Sequence, residues 1–315
     1  MANKQDVPVL EVDGLSVSFR MYDDTDNMLA QKNLQVISDL SMHVHAGEVL
    51  AVAGSSGSGK SLLASAILGI LPENAAVGGA MRYQGQEMTP DSQRRLRGTE
   101  IALVPQSVSF LDPLMRVGAQ VHGDGRAHIF RRLGLPEETV SCYPFQLSGG
   151  MARRVLVSTA LITDAQLIIA DEPTPGMSLD QALEALRFFR ETADDGKAVI
   201  LITHDIDLAF SFADRIAVFY AGMIVETARA EDFSTGADAL RHPYTKALWR
   251  ALPQNGFEPI AGFQPYAGSM PKGCPFAPRC SFRSPRCEQE IPPIRDLCEG
   301  EVRCFYAQPH QGKYA

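Results

Sequence analysis

The sequence lacks several features that would assign it to a class at once. It has one Trp, no run approaching the ~20 consecutive apolar residues of a membrane span, and no basic N-terminal segment followed by an apolar core. We therefore expect a cytosolic chain without a span of its own. Residues 1–273 contain only one cysteine, Cys142, which is unlike a secreted disulfide scaffold. The net charge of -8 gives no overall basic footprint, so nucleic acid is not an expected partner.

What is present is the composition of a globular protein, with 315 residues of which 45% are hydrophobic and 21% charged. Short apolar runs at 48–54, 166–173 and 198–205 end in polar or glycine-rich residues, and helical patterns at 61–71 and 181–193 lie between them. This alternation predicts an α/β fold whose buried parallel strands carry functional loops at their C-terminal ends.

The two ends of the chain follow other patterns. Residues 10–19 and 35–48 alternate as antiparallel strands do, with a turn at Ala46 and Gly47. From about residue 235, Pro, Gly and Cys become frequent and periodicity fades. We therefore predict a domain at 1–235 and a small irregular, cysteine-containing C-terminal domain at 236–315.

The segment GSSGSGKS at 54–61 fits G-x-x-x-x-G-K-[ST], directly after a predicted strand and at the start of a predicted helix. Its glycines let successive backbone N–H groups point at phosphate oxygens, and a flexible Gly/Ser loop is the alternative. Lys60 would then bridge the terminal phosphates and Ser61 would bind Mg²⁺. The predicted contacts of ATP or GTP are Gly54, Ser55, Ser56, Gly57, Ser58, Gly59, Lys60, Ser61 and Leu62.

Two acidic residues and a histidine follow the other predicted strands. Asp171 ends LIIAD, where it can hold Mg²⁺, and Glu172 can polarise the attacking water. The alternative is a solvated acidic loop. His204 ends the next strand and is predicted to contact the γ-phosphate, although a lone His is more often a cap or a surface residue.

A second candidate phosphate cradle lies at LSGGM, residues 147–151, just before a predicted helix. Such a stretch alone is usually only a turn. One nucleotide needs no second cradle unless that cradle serves the nucleotide of another subunit.

These motifs, with Gln106 in LVPQ and the sequence ITHD, occur in the order of an ATP-binding cassette protein, which the chain resembles over residues 10–230. The resemblance implies a P-loop NTPase fold: a RecA-like core, an antiparallel β-subdomain and a helical subdomain at about 107–154. Two such domains would pair head to tail around ATP. It also implies roles for Gln106 in sensing Mg²⁺, for Glu172 as general base, for His204 at the γ-phosphate, for Phe19 (or Tyr22) under adenine, and for Ser148, Gly149 and Gly150 in trans.

The tail HPYTKALWRALP at 242–253, followed by GCPFAPRC, resembles the ATPases of oligopeptide, dipeptide and nickel importers. That resemblance implies a homologous ATPase partner, two membrane permeases and an extracytoplasmic substrate-binding protein. The subunit would lie at the cytoplasmic face of the membrane, held there by the permeases. Peptide is the expected cargo, with nickel or a metal chelate as the alternative.

Two departures from the family pattern affect residue roles. Gln106 and Leu147 are closer together than usual, which predicts a shorter helical subdomain. Asp180 lies eight positions after Glu172 instead of six, so its usual role in communication across the dimer is not assigned.

The tail also carries a cysteine cluster. Its spacing, Cys274-x5-Cys280-x6-Cys287 with Cys304 further on, differs from the C-x2-C pairs of zinc ribbons. An iron–sulfur cluster, zinc and free or disulfide-linked thiols all remain open on the residues alone. The importer resemblance implies a [4Fe–4S] cluster on Cys274, Cys280, Cys287 and Cys304, and Cys298 does not match.

Three other functions compete with import. A translation or DNA-repair ATPase would usually carry a long coiled coil or a duplicated cassette, and neither pattern is present. A soluble cassette ATPase in phosphonate metabolism resembles this group closely. A subunit that binds nucleotide without hydrolysing it conflicts with the presence of Lys60, Asp171 and Glu172.

Overall fold

The structure is a computed structural model that describes residues 7–22, 31–55 and 57–308. The predicted strands at 48–54, 166–173 and 198–205 and the antiparallel strands near the N-terminus are all confirmed. The strands in chain order are β1 (Leu10–Tyr22), β2 (Gln31–Val44), β3 (Val49–Ala53), β4 (Ala75–Tyr83), β5 (Gln86–Glu87), β6 (Ile101–Val104), β7 (Leu167–Asp171), β8 (Ala198–Thr203), β9 (Arg215–Tyr220), β10 (Met223–Arg229), β11 (Arg295–Leu297) and β12 (Gly300–Val302).

Several helices begin at side chains that accept a backbone N–H, as Thr89, Ser148, Ser178 and Asp205 do. None of the described helices is long and apolar enough to cross a bilayer. In chain order they are α1 (Lys60–Leu68), α2 (Pro90–Leu96), α3 (Val117–Gln120), α4 (Arg126–Arg132), α5 (Gly149–Leu161), α6 (Leu179–Asp194), α7 (Ile206–Phe212), α8 (Ala230–Thr235), α9 (Pro243–Arg250) and α10 (Pro285–Gln289).

The larger sheet has the strand order β11-β12-β10-β9-β3-β8-β7-β6. Strands β9, β3, β8, β7 and β6 run parallel, and β10, β12 and β11 continue the sheet antiparallel. Strands β3, β7 and β8 are buried along their whole length, as strands covered on both faces are. Because parallel strands present their C-terminal ends at one edge, the loops after β3, β8, β7 and β6 lie along that edge.

The smaller, antiparallel sheet has the order β2-β1-β4-β5. Its inward side chains, such as Leu15 and Ile37, share a core with Leu63 and Ile67 of α1 and with Ile200 of the larger sheet. This packing places α1 between the two sheets, directly after the phosphate loop.

The opposite side of the larger sheet carries the helical region. Val117, Phe130 and Leu156 share a second core there with Phe189 of α6. Helices α3 and α4 have only four and seven residues, so this region is built of short elements until α5 begins at Gly149.

The C-terminal region is less irregular than its sequence indicates. Strands β11 and β12 extend the larger sheet, with Glu226 of β10 opposite Val302 of β12. Tyr244 of α9 and Phe276 share a third core with Tyr220 and Leu240. The region after residue 235 therefore packs directly on the end of the nucleotide-binding sheet.

Candidate nucleotide site and cysteine pocket

The phosphate loop runs from the end of β3 into α1, as predicted. Gly57 and Gly59 have φ angles of 75° and 107°, in the left-handed region that favours glycine. Lys60 is 6% exposed, and its Nζ donates to the carbonyl oxygens of Gly54 (2.7 Å) and Ser55 (2.9 Å). Burial lowers the pKa of Lys60, against the opposing attraction of two nearby carboxyl groups. The predicted contact Ser56 lies outside the described residues.

Gly54 is held by a close approach of the backbone. A Cβ atom at this position would lie 2.4 Å from the carbonyl oxygen of Phe219, on the neighbouring strand β9. Only glycine therefore fits at the start of the loop, which explains this position of the motif on steric grounds.

Asp171 ends β7 and lies near the start of α1. Burial raises the pKa of its carboxyl group, and the neighbouring Ser61 hydroxyl opposes part of that shift. Its Oδ1 is buried and has no hydrogen-bond partner among the described residues. A buried carboxylate oxygen with a free lone pair beside a Ser hydroxyl is a donor set that suits Mg²⁺. The structure thus brings together Ser61 and Asp171, two of the three predicted magnesium contacts, the third being Gln106.

Glu172 has a φ of 48°, a left-handed conformation that is uncommon for a residue with a side chain. Its Oε1 lies 2.8 Å from Nδ1 of His204, and its Oε2 is buried without a hydrogen-bond partner among the described residues. The His204 side chain is 54% exposed and that of Glu172 only 7%. The pair therefore joins a buried carboxylate to a histidine open to the sheet edge, which suits proton transfer with a bound water.

Sequence analysis did not identify Arg153, a buried arginine that lies behind the two carboxylates. Arg153 of α5 is 8% exposed, and one of its guanidinium nitrogens donates to the carbonyl oxygen of Pro105 at 3.1 Å. Burial lowers its pKa, and the charges of Asp171 and Glu172 oppose that shift. The signal in the sequence is the Arg pair after LSGGM, but both members are buried, and only the packing of α5 against β6 places Arg153 near the carboxylates while Arg154 donates to the carbonyl oxygens of Leu133 and Gly134.

The other predicted residues lie around this edge. Gln106 follows β6 and is exposed. Ser148 caps α5, where its Oγ accepts the N–H of Met151 at 3.3 Å. A Cβ at Gly149 would meet open space, whereas one at Gly150 would lie 2.8 Å from the carbonyl oxygen of Gly176. No hydrogen bond within the described part of the chain joins residues 148–150 to the phosphate loop.

The predicted adenine platform is less distinct. Phe19 is half-buried and packs against the core of the antiparallel sheet, whereas Tyr22 is 68% exposed. Asp180 lies in the first turn of α6 and is exposed. The stacking residue therefore stays a prediction, and Asp180 has no assigned role.

Comparison with known proteins agrees with this geometry. The family model of the ABC transporter matches residues 37–175, and that of the oligopeptide/dipeptide transporter C-terminal region matches residues 225–287. An oligopeptide transport ATP-binding protein of Salmonella typhimurium is 32% identical over 94% of this chain and 93% of its own length. The chain belongs to the ABC transporter family.

Two further comparisons concern the length and the fold of this ABC transporter chain. An oligopeptide transport ATP-binding protein of Mycobacterium bovis is 35% identical over 98% of the chain, and the chain spans only 53% of that relative. A solved dimeric ATP-binding cassette in a post-hydrolysis state with ADP and Pi superposes with a TM-score of 0.61 at 23% identity, over 70% of this chain and 98% of its own. The predicted fold of an ABC nucleotide-binding cassette is thereby confirmed.

The C-terminal region of this ABC transporter chain gathers four cysteines. One narrow pocket is lined by the predicted residues Cys274, Cys280, Cys287 and Cys304. Cys298 is exposed and does not line this pocket. The backbone N–H of Cys274 donates to the carbonyl oxygen of Cys287 at 2.8 Å, which ties two sides of the pocket together.

Burial differs among the cysteines of the pocket: Cys274 and Cys287 are buried, whereas Cys280 and Cys304 are partly exposed. Burial raises the pKa of Cys274 to about 11, and it also raises the pKa values of Cys280 and Cys304, with neighbouring thiols adding to each shift. Within the described ranges, no group of three or more His, Cys, Asp and Glu residues is arranged to hold a metal ion. All four thiols are free, so the donors that a metal or cluster would use are present.

Proposed function

We propose that this chain is the ATP-hydrolysing subunit of an importer that brings peptides across the cytoplasmic membrane. The observation that carries the proposal is the sheet edge where Lys60, Asp171, Glu172 and His204 follow three neighbouring strands. The match of residues 225–287 to the oligopeptide/dipeptide transporter C-terminal region supports the peptide cargo.

The residues of the edge have separate tasks in hydrolysis. Backbone N–H groups of the phosphate loop and Lys60 bind the phosphates, and Lys60 exchanges its two loop carbonyls for phosphate oxygens. Ser61 and Asp171 would hold Mg²⁺, which would neutralise charge that develops on the phosphates. Glu172 takes a proton from the attacking water, while His204 holds the carboxylate at Oε1 and leaves Oε2 for that water.

Completion of the site requires a second subunit. Ser148, Gly149 and Gly150 would contact the nucleotide of a homologous partner, since no hydrogen bond of the described chain joins them to its own phosphate loop. The open space at Gly149 is consistent with a close approach of a partner's phosphates. Gln106 would sense Mg²⁺ from the end of β6, and Phe19 would stack on adenine.

The remaining components follow from the importer assignment. Two membrane permeases would anchor the ATPase pair at the cytoplasmic face, and an extracytoplasmic protein would deliver the substrate. Nickel or a metal chelate is the second candidate cargo, because the sequence of the tail resembles both branches.

For the C-terminal region, we propose a [4Fe–4S] cluster on Cys274, Cys280, Cys287 and Cys304, with zinc as the alternative. Support comes from the single pocket that these four side chains line, and from the exclusion of Cys298 from it. When bound, a cluster would link four separate points of the C-terminal region, among them Cys287 on α10.

Replacement of Glu172 by Gln tests the catalytic assignment. ATP binding should persist while turnover falls about 100-fold or more, since the amide cannot accept the proton. ATP turnover and molecular mass in MgATP would be measured, with Glu87→Gln, an exposed change on β5, as the control. Unchanged turnover in Glu172→Gln would refute the role of this carboxylate.

Reconstitution with its permeases tests the import function. Peptide accumulation in liposomes should require ATP and fail with the Glu172→Gln subunit. ATP-dependent nickel uptake without peptide uptake would reassign the cargo, and recovery of the chain only in a soluble enzyme complex would contradict import.

Anaerobic purification tests the cysteine proposal. We expect the purified protein to show an absorbance band at about 400 nm and to contain iron and sulfide. Cys287→Ser should lose the band and the iron, whereas Cys298→Ser should retain both. One bound zinc in place of iron and sulfide would replace the cluster proposal.

A further inference from the structure

The C-terminal region touches the phosphate loop itself. The Oγ of Ser55, the second residue of the loop, donates to Oε1 of Gln264 at 2.8 Å across 209 residues of sequence. Tyr244, which is 3% exposed, lies beside Ser55; burial raises the pKa of Tyr244 to about 12, and the neighbouring Ser55 hydroxyl opposes part of that shift.

Gln264 and Tyr244 are both held in fixed positions. The Tyr244 ring packs at 4.3 Å from that of Tyr220 and 5.4 Å from that of Phe276, measured between ring centroids. Arg279 donates to the carbonyl oxygens of Ile260 and Ala261 at 3.1 and 2.9 Å, just before the segment that carries Gln264. The short helical turn Ala267–Ser269 after that segment contacts β2.

The two sides of Ser55 face different groups. Lys60 donates to its carbonyl oxygen from inside the loop, whereas Gln264 accepts from its hydroxyl on the outside. When Lys60 turns to a phosphate, the loop loses the inner hydrogen bonds and keeps the outer one. The outer contact is therefore the one that can maintain the direction of the loop N–H groups while nucleotide is bound.

We propose that Gln264 is a positioning residue that holds the phosphate loop through the hydroxyl of Ser55, so that ATP affinity depends on the packing of the C-terminal region. This inference rests on the proposed function, since it requires that the loop bind ATP. Phe276 lines the cysteine pocket and packs at a tilted angle on Tyr244, which lies beside Ser55, so the same contacts connect that pocket to the phosphate loop.

Three variants test the inference in the full-length chain. Gln264→Ala and Ser55→Ala each remove the hydrogen bond from one side, and the double variant Ser55→Ala/Gln264→Ala removes both partners. Each single loss should weaken ATP binding about threefold to tenfold, as expected for one hydrogen bond. The double variant should match either single variant, because both changes act on one hydrogen bond.

Affinity would be measured by titration with a fluorescent ATP analogue and competition with ATP. A positioning role predicts a raised KM with kcat retained at saturating ATP, whereas loss of folding would lower the active fraction. An exposed change of the same kind, Gln289→Ala, serves as the matched control and should leave the Kd unchanged. Ser55 is exposed and Gln264 is partly exposed, so neither variant opens a cavity in the core.

The outcomes separate this inference from the function on which it rests. ATP binding by the wild type with Kd values within twofold in all three variants would overturn the inference and leave the proposed function standing. A wild-type chain that binds no ATP would overturn both.

Discussion

Replacing Glu226 by Gln should weaken the attachment of the C-terminal region to the nucleotide-binding sheet. The side chain of Glu226 on β10 is 0% exposed. Its Oε1 accepts the backbone N–H of Arg241 at 2.8 Å, and its Oε2 accepts that of His242 at 2.7 Å. These two N–H groups lie just before α9, and the guanidinium of Arg241 also lies 3.3 Å from Oε1.

The magnitude follows from these contacts. A Gln side chain keeps the shape but exchanges one acceptor for an NH₂ group, which would face a buried donor. An unsatisfied buried group costs about 1–3 kcal/mol, and breaking a buried ion pair costs about 3–5 kcal/mol. Burial raises the pKa of Glu226, so removal of its charge offsets part of the loss. Asp232 remains 2.9 Å from Arg241, and we expect the free energy of unfolding to fall by about 3 kcal/mol.

The chain provides its own probe for this measurement. Its one Trp, Trp249, lies on α9, where Nε1 donates to the carbonyl oxygen of Phe233 at 2.8 Å. Urea unfolding would be followed by Trp fluorescence for α9 and by far-UV circular dichroism for the whole chain. Glu231→Gln, at a side chain that is 79% exposed, should change stability by less than about 1 kcal/mol. A Glu226→Gln transition that coincides with the wild type would refute the reasoning.

Three other predictions concern the nucleotide site. His204→Ala should retain ATP binding but lower turnover about 100-fold, because Glu172 loses its partner at 2.8 Å; unchanged turnover in a steady-state assay would contradict this. Gly54→Ala should abolish ATP binding and lower the urea midpoint, since its Cβ would lie 2.4 Å from the carbonyl oxygen of Phe219; wild-type affinity would count against the steric argument. Burial raises the pKa of Asp171, so this carboxyl gains a proton as pH falls while ordinary Asp side chains are still ionised. MgATP affinity should therefore begin to fall above the usual Asp range, and a decline confined to about pH 4 would disagree.

The contacts between the C-terminal region and the loop also affect how the cysteine site should be studied. Phe276 lines the cysteine pocket and packs against the ring of Tyr244, and Tyr244 lies beside Ser55 of the phosphate loop. A change at the cysteines can therefore alter nucleotide affinity without any contact with nucleotide. Measuring iron content and ATP affinity on the same samples would separate the two effects.

Much of the nucleotide site could be predicted from sequence, because its parts are local. GSSGSGKS combines a strand, a phosphate loop and a helix within one short segment, and buried apolar strands that end in Asp171 or His204 place those residues at one sheet edge. The four cysteines of the pocket were predicted through the family resemblance, and their pocket agrees with that selection.

Other features depend on contacts between segments that are distant in sequence. Arg153 approaches the carboxylates only because α5 packs against β6, and Ser55 meets Gln264 only because the C-terminal region folds back over the end of β9. The left-handed backbone of Glu172 has no local signal either, since no glycine marks it. Local sequence thus determined the phosphate chemistry, whereas tertiary packing decided which distant side chains hold that chemistry in place.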